Sequence, residues 1–205
     1  MGEKIYWYPL WIRIWHGFNA ILCILLILTG ISMQYSNPDT PFIHFNVAVS
    51  IHNISGIVLT ASYLLFFIGN IISKNRKNYA LVYKGLWTRI RKQFRYYAYG
   101  IFKGEKSPYP VNSERKFNPL QKVSYAIVMY VALPILFITG WAFLFPEFIL
   151  TKFLGFSGFF STAQLHMTMG FFVSIFLIIH LYVSSIGKTP GSNYMSIITG
   201  WQEEH

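Results

Sequence analysis

Of the 205 residues, 54% are hydrophobic and 19% aromatic, and only 12% are charged, about half the charged share of an ordinary soluble domain. That balance excludes a soluble domain, and 19 Phe, 14 Tyr and 6 Trp exclude a disordered chain, which needs low hydrophobicity and high charge. What remains is a membrane protein, in which a net charge of +10 reports orientation rather than nucleic-acid binding.

The segment MGEKIYWYPLWIR opens into an apolar run too long for a signal peptide's core, and no small-residue cleavage site follows, so the first helix is expected to stay as an anchor. Cys23 lies inside that run. As the single cysteine it excludes an internal disulfide and a thiolate-held iron–sulfur cluster, and its expected role is packing. No C-x-x-C-H is present for covalent haem attachment.

Four uncharged stretches follow one another: Ile14 to Pro38, Thr40 to Ser73, Val123 to Pro146 and Phe153 to Gly187. Each exceeds the roughly 20 residues that cross a bilayer. Pro41 and the region Gly155 to Gly158 suggest outer loops at the front of the two longer stretches. The expected fold is all-α, an integral membrane four-helix bundle in one domain of residues 1–205, with spans at about 12–34, 50–73, 121–145 and 161–186.

Of the 17 Lys and Arg, 13 fall between Lys74 and Lys122. The positive-inside rule therefore makes the 74–120 segment cytoplasmic, and an even number of spans puts both termini on that side as well. The outer loops carry only Asp39, Glu147 and Lys152. Trp7, Trp11, Trp15, Trp87, Trp141 and Trp201 sit near the expected interfaces, as in an aromatic belt. Within the basic segment, Leu86, Ile90 and Phe94 share one face and Arg91 and Arg95 another, the pattern of an amphipathic helix on the membrane surface that contacts anionic lipid. That reading displaces nucleic acid as a partner.

The four stretches hold four histidines: His16, His52, His166 and His180. Ionisable residues inside a membrane are functional candidates by default, although a single neutral imidazole can also serve to bond helices together. His166 and His180 are 14 residues apart, which on one helix gives a rise of about 21 Å and nearly the same facing. His16 is early in the first span and His52 early in the second, so depth pairs His16 with His180 on the inner side and His52 with His166 on the outer side. Two imidazoles facing each other at one depth are an axial pair for haem iron. Gly56 and Gly170 each fall four residues beyond a histidine, on its face, and leave room for a porphyrin. A zinc site is disfavoured because two histidines are too few ligands. Arg13 shares a face with His16 and is a candidate partner for an inner haem propionate. His44 is assigned to the outer loop, and His205 needs no role.

The R-x-x-H at Arg13 and His16, the LHMTMG motif with a second histidine beyond it, and FNPLQKVSY followed by LPILFITGW resemble the bacterial di-haem cytochrome b membrane subunits of formate dehydrogenase, nickel–iron hydrogenase and thiosulfate reductase, grouped as prokaryotic cytochrome b561. The resemblance covers essentially the whole chain. It implies two haem b groups with the same ligand pairing, and a quinone site beside the inner haem formed partly by residues just before the third helix. Asn118 is the matching position, with Gln121 and Lys122 nearby; Leu120 stands where the formate dehydrogenase type has glycine. Asn118-Pro119 is equally a helix start, Asn at the N-cap and Pro at the first position.

The implied function is electron transfer between the quinone pool (menaquinone or ubiquinone) and an outer-side, periplasmic redox subunit that is an iron–sulfur protein, a c-type cytochrome or a catalytic subunit. The setting is the cell inner membrane, crossed several times. A stand-alone quinone-linked oxidoreductase acting on superoxide or another small donor is the second reading, and a haem-free transporter a third.

Overall fold

The computed structural model describes residues 4–73, 80–110, 112, 114–153, 155–187 and 189–203. Lys74, Arg76, Lys77 and His205, all weighed above, lie outside the described residues. Four long apolar helices carry the fold. They are α1 (Leu10–Tyr35), α2 (Phe45–Ile72), a third span from Pro119 to Leu144, and one at Gly158–Ser184. All four are long and apolar enough to cross a membrane.

The third span is not one uniform helix. α4 (Pro119–Ile127) passes into a π turn at Val128–Ala132, and α5 (Leu133–Leu144) continues from it. Pro134, at the start of α5, has no amide hydrogen to give, and a wider turn before it relieves the clash of its ring with the preceding carbonyls. The span at Gly158–Ser184 is labelled α6. Shorter elements complete the chain: α3 (Leu86–Ala98), α7 (Ser192–Thr199), and strands β1 (Lys4–Tyr6), β2 (Lys152–Phe153), β3 (Phe156–Ser157) and β4 (Trp201–Glu203).

Helix α2 begins at Phe45 and α6 at Gly158, earlier than the expected span starts at Ser50 and Ser161. At α2 the backbone carbonyl of His44 already accepts from Ala48, so the exposed His44 sits just outside the helix start. At α6, a Cβ on Gly158 would overlap the carbonyl oxygen of Leu150, so only glycine permits that approach. Pro41 and Gly155 do lie in loops, but the loops are shorter than composition suggests: α2 starts four residues after Pro41 and α6 on Gly158 itself.

The chain forms two compact units. The first comprises residues 1–13, 69–129 and 178–205, and the second residues 14–68 and 130–177. In the first, β1 pairs antiparallel with β4, Ile5 opposite Gln202, so both ends of the described chain meet. In this unit α3 presents Trp87 and Phe94 outward, as expected of an amphipathic surface helix.

In the second unit the helix faces are sorted in the reverse of a soluble protein. On α1, Ile14, Phe18, Ile21, Leu28 and Ile31 are exposed, whereas Asn19, Thr29 and Ser32 are buried. The buried stripe of α2 is likewise Ala48, Ser55, Leu59 and Ser62. Lipid is as apolar as leucine, so helices associate through close-packed small residues and interhelical hydrogen bonds. Asn19 donates to Ser62 Oγ at 2.9 Å and Trp15 Nε1 to the Ser62 carbonyl at 3.1 Å.

Candidate cofactor site

His52 projects from α2 and His166 from α6, and their ring centroids are 6.2 Å apart. Each ring is held from behind. Thr29 Oγ1 on α1 is 2.9 Å from His52 Nδ1, and Thr139 Oγ1 on α5 is 2.8 Å from His166 Nδ1. A hydroxyl has one proton, and both are committed to the carbonyl four residues back: Thr29 donates to Leu25 and Thr139 to Ile135, each at 2.7 Å. Each threonine must therefore accept from its histidine, which places the imidazole proton on Nδ1 and leaves Nε2 bare. A bare Nε2 is a metal ligand, and a partner on the other nitrogen is how metal-binding histidines are oriented.

The separation fits a metal between the rings. Imidazole–metal bonds of about 2 Å on both sides, plus roughly 1 Å from each ring nitrogen to its centroid, require about 6 Å between centroids. Glycines adjoin both threonines. A Cβ on Gly30 would lie 3.6 Å from His52 Cε1 and one on Gly140 3.5 Å from His166 Cε1, so each ring packs beside a glycine with room for a methyl group and no more. A Cβ on Gly170 would meet no heavy atom within 4 Å, in keeping with space for a large planar group. Phe143 packs edge-on to His166 at 5.7 Å.

Four helices thus contribute one Thr-Gly or one His each, in two matching pairs. Sequence reasoning found both histidines, and took Thr29-Gly30 and Thr139-Gly140 only as a weak mark of the family resemblance, without the threonines' hold on the rings. The repeated Thr-Gly dipeptide near the ends of the first and third spans was the available signal, since threonine can both satisfy a helix carbonyl and orient a ring.

In the first unit, the ring of Tyr125 lies 6.1 Å from that of His180, edge to face. His16 stands on α1 in the second unit. Arg13 donates through Nη2 to the Ile198 carbonyl, while its buried Nε has no hydrogen-bond partner. That spare donor suits an acceptor such as a propionate.

Asn118 forms a full capping box on α4. Its Oδ1 accepts from Gln121 N at 2.9 Å and the Gln121 side chain accepts from Asn118 N at 3.1 Å. Its Nδ2 donates to the Tyr97 hydroxyl at 2.8 Å, and Gln93 bonds the same hydroxyl. Burial raises the Tyr97 pKa, so this phenol keeps its proton. Asn118, Gln121 and Tyr97 therefore form one network, whereas Lys122 lines a cleft with Arg89 and Arg115. Lys116 was not singled out from sequence. It is buried, donates to the Trp7 carbonyl at 2.8 Å and lies 4.3 Å from the Tyr8 ring centroid. Burial lowers its pKa to about 8.

A chain with this helix pattern has known relatives. It is 36% identical over 200 residues to the Escherichia coli (strain K12) protein named "Putative cytochrome YdhU", covering 98% of this chain and 75% of that one. Residues 7–200 match the pattern of the prokaryotic cytochrome b561 family. With four apolar spans and a family match over nearly its whole length, the chain belongs to the prokaryotic cytochrome b561 family, as a multi-pass membrane b-type cytochrome of electron transfer.

Proposed function

We propose that the protein carries two haem b groups, on His52 with His166 and on His16 with His180, and moves electrons between the quinone pool and a redox subunit on the outer face of the inner membrane. The observation that supports the reading most is the 6.2 Å His52–His166 separation with both Nδ1 atoms held by threonine. The second pair rests on the depth of His16 and His180 in their spans and on the family. Haem, when bound, supplies one-electron redox chemistry. The chain contributes the rest: helices α2 and α6 present the outer ligands, Thr29 and Thr139 fix their tautomer, and the apolar spans keep water away.

The 74–120 segment and both termini are assigned to the cytoplasmic side by their charge. Quinone is assigned to the inner end, near Asn118, Gln121 and Lys122, with Tyr97 part of the same polar network. Electron movement across the apolar core is then coupled to the membrane potential. A pyridine haemochrome assay with a reduced-minus-oxidised spectrum tests the reading. About two b haems per chain are expected, and a preparation folded but free of haem would refute it.

A further inference from the structure

Three cations from three different elements converge on one cleft of the first unit. Arg89 comes from α3, Arg115 from the Asn112–Arg115 bridge, and Lys122 from the first turn of α4; the cleft has a volume of about 220 Å³. All three are half-buried, unlike the exposed Arg91 and Lys92 on the same α3. The two arginines are held in place by neutral groups. Arg89 Nη2 donates to the Val82 carbonyl, Arg115 stacks 5.6 Å from the centre of the Tyr109 ring, and the Arg115 backbone is tied to that of Asn112 by hydrogen bonds in both directions.

Among the described residues no carboxylate lines the cleft. Glu114, the nearest acid in sequence, is exposed, and the ion pair among the described residues joins Arg95 and Glu105 elsewhere. Lys122 also stands at the positive end of α4, whose first turn holds no acid, so the helix dipole adds to the repulsion. Three half-desolvated cations, two of them fixed, with no counter-charge among the described lining are an anion site. The cations suit a phosphate group, which arginine recognises through its paired donors.

The remaining wall of the cleft is apolar, including Val82, Leu86 and Phe117, and it adjoins the start of a membrane span. An amphiphile matches both walls, whereas a free ion matches only one. We infer that Arg89, Arg115 and Lys122 bind the phosphate of an anionic phospholipid headgroup, seated at the membrane-surface end of the third span. The inference is independent of the haem assignments; it shares Lys122 with the quinone assignment, so its test varies Arg89 and Arg115 instead.

Native mass spectrometry of the purified full chain tests it, with titration of phosphatidylglycerol, phosphatidylcholine and inorganic phosphate. The wild type should retain phosphatidylglycerol in preference to phosphatidylcholine. Arg89→Gln with Arg115→Gln should weaken that binding by roughly five-fold per cation removed. Arg91→Gln with Lys92→Gln removes the same charge outside the cleft and should change it little. Equal loss in both pairs, or no lipid preference in the wild type, would overturn the site. Inorganic phosphate that binds without competition from phosphatidylglycerol would overturn the lipid assignment. Should the double variant fail to give native helicity by circular dichroism, Arg115→Gln alone, with Arg115→Lys as partial rescue, carries the same comparison.

Discussion

Thr139 Oγ1 sits 2.8 Å from His166 Nδ1 while giving its own proton to the Ile135 carbonyl, so the direction of both hydrogen bonds is fixed by one hydroxyl. Thr29 repeats the arrangement on His52. Thr139→Val keeps the shape but removes the acceptor, freeing the ring to turn and to change tautomer. Outer-haem retention should fall by about 10- to 100-fold, the usual cost of losing such a partner. Thr139→Ser should restore it. Haem content per chain and the reduced-minus-oxidised spectrum provide the comparison, and a wild-type spectrum in Thr139→Val would count against an orienting role.

Removing ligands should resolve the two haems. His52→Ala and His180→Ala are each expected to lose one haem, and not the same one. Redox titration of the two variants should therefore leave single, different components. Loss of both components in both variants at full helicity would argue against separate sites.

The glycine beside Thr139 offers a graded steric test. A Cβ at position 140 would lie 3.5 Å from His166 Cε1, an ordinary contact, so Gly140→Ala should keep its haem. Gly140→Leu must displace the imidazole and should lose the outer haem. Equal haem content in the two variants would show that the ring does not need this close approach.

Lys116 predicts a pH dependence of stability. Its folded pKa is near 8 against an ordinary 10.5, so the unfolded chain holds the proton more tightly and the charged side chain costs stability below about pH 8. That cost fades as pH rises from 8 to 10.5. The gap corresponds to roughly 3 kcal/mol at most, and attraction to the Tyr8 ring offsets up to about 2 kcal/mol. Wild type should therefore gain about 1 kcal/mol relative to Lys116→Met between pH 7.5 and 10, measured by denaturation at each pH. A difference that stays flat would mean the ammonium is better solvated than its surroundings indicate.

Asn118 carries two roles that can be separated. Asn118→Ala loses the cap and should cost about 1 kcal/mol, as well as slowing haem oxidation or reduction by quinone analogues. Asn118→Ser keeps a capping hydroxyl but loses the amide that reaches Tyr97. Slow quinone kinetics in both variants would support the quinone assignment, whereas normal kinetics in Asn118→Ser would reduce Asn118 to a cap.

The sequence disclosed the four spans because runs of uncharged residues are conspicuous, and the four histidines because nothing else ionisable competes with them there. Asn118-Pro119 was likewise readable as a helix start, since both residue types act locally. The threonine partners were not legible. Thr29 and His52 lie on different helices, so their meeting is a fact of packing that no spacing encodes. Lys116 and the Arg89–Arg115–Lys122 cleft escaped for a related reason. In a segment so rich in cations, composition cannot tell a solvated charge from one held against aromatic rings or gathered with two others. The early starts of α2 and α6 were hidden by Pro and Gly, which mark a loop without fixing its length: α2 begins four residues past Pro41, and α6 on Gly158 itself.

The π turn at Val128–Ala132 has a bearing on how the third span must be aligned and edited. It accommodates one residue more than an α-helix of equal rise would, so a helical wheel drawn straight through from Pro119 misplaces everything beyond it by about 100°. Thr139 and Gly140 lie beyond the turn. Deleting a single residue within 128–132 would therefore leave a regular α-helix of about the same rise with Thr139 still facing His166, so the shorter and smoother sequence should keep its hold on the cofactor.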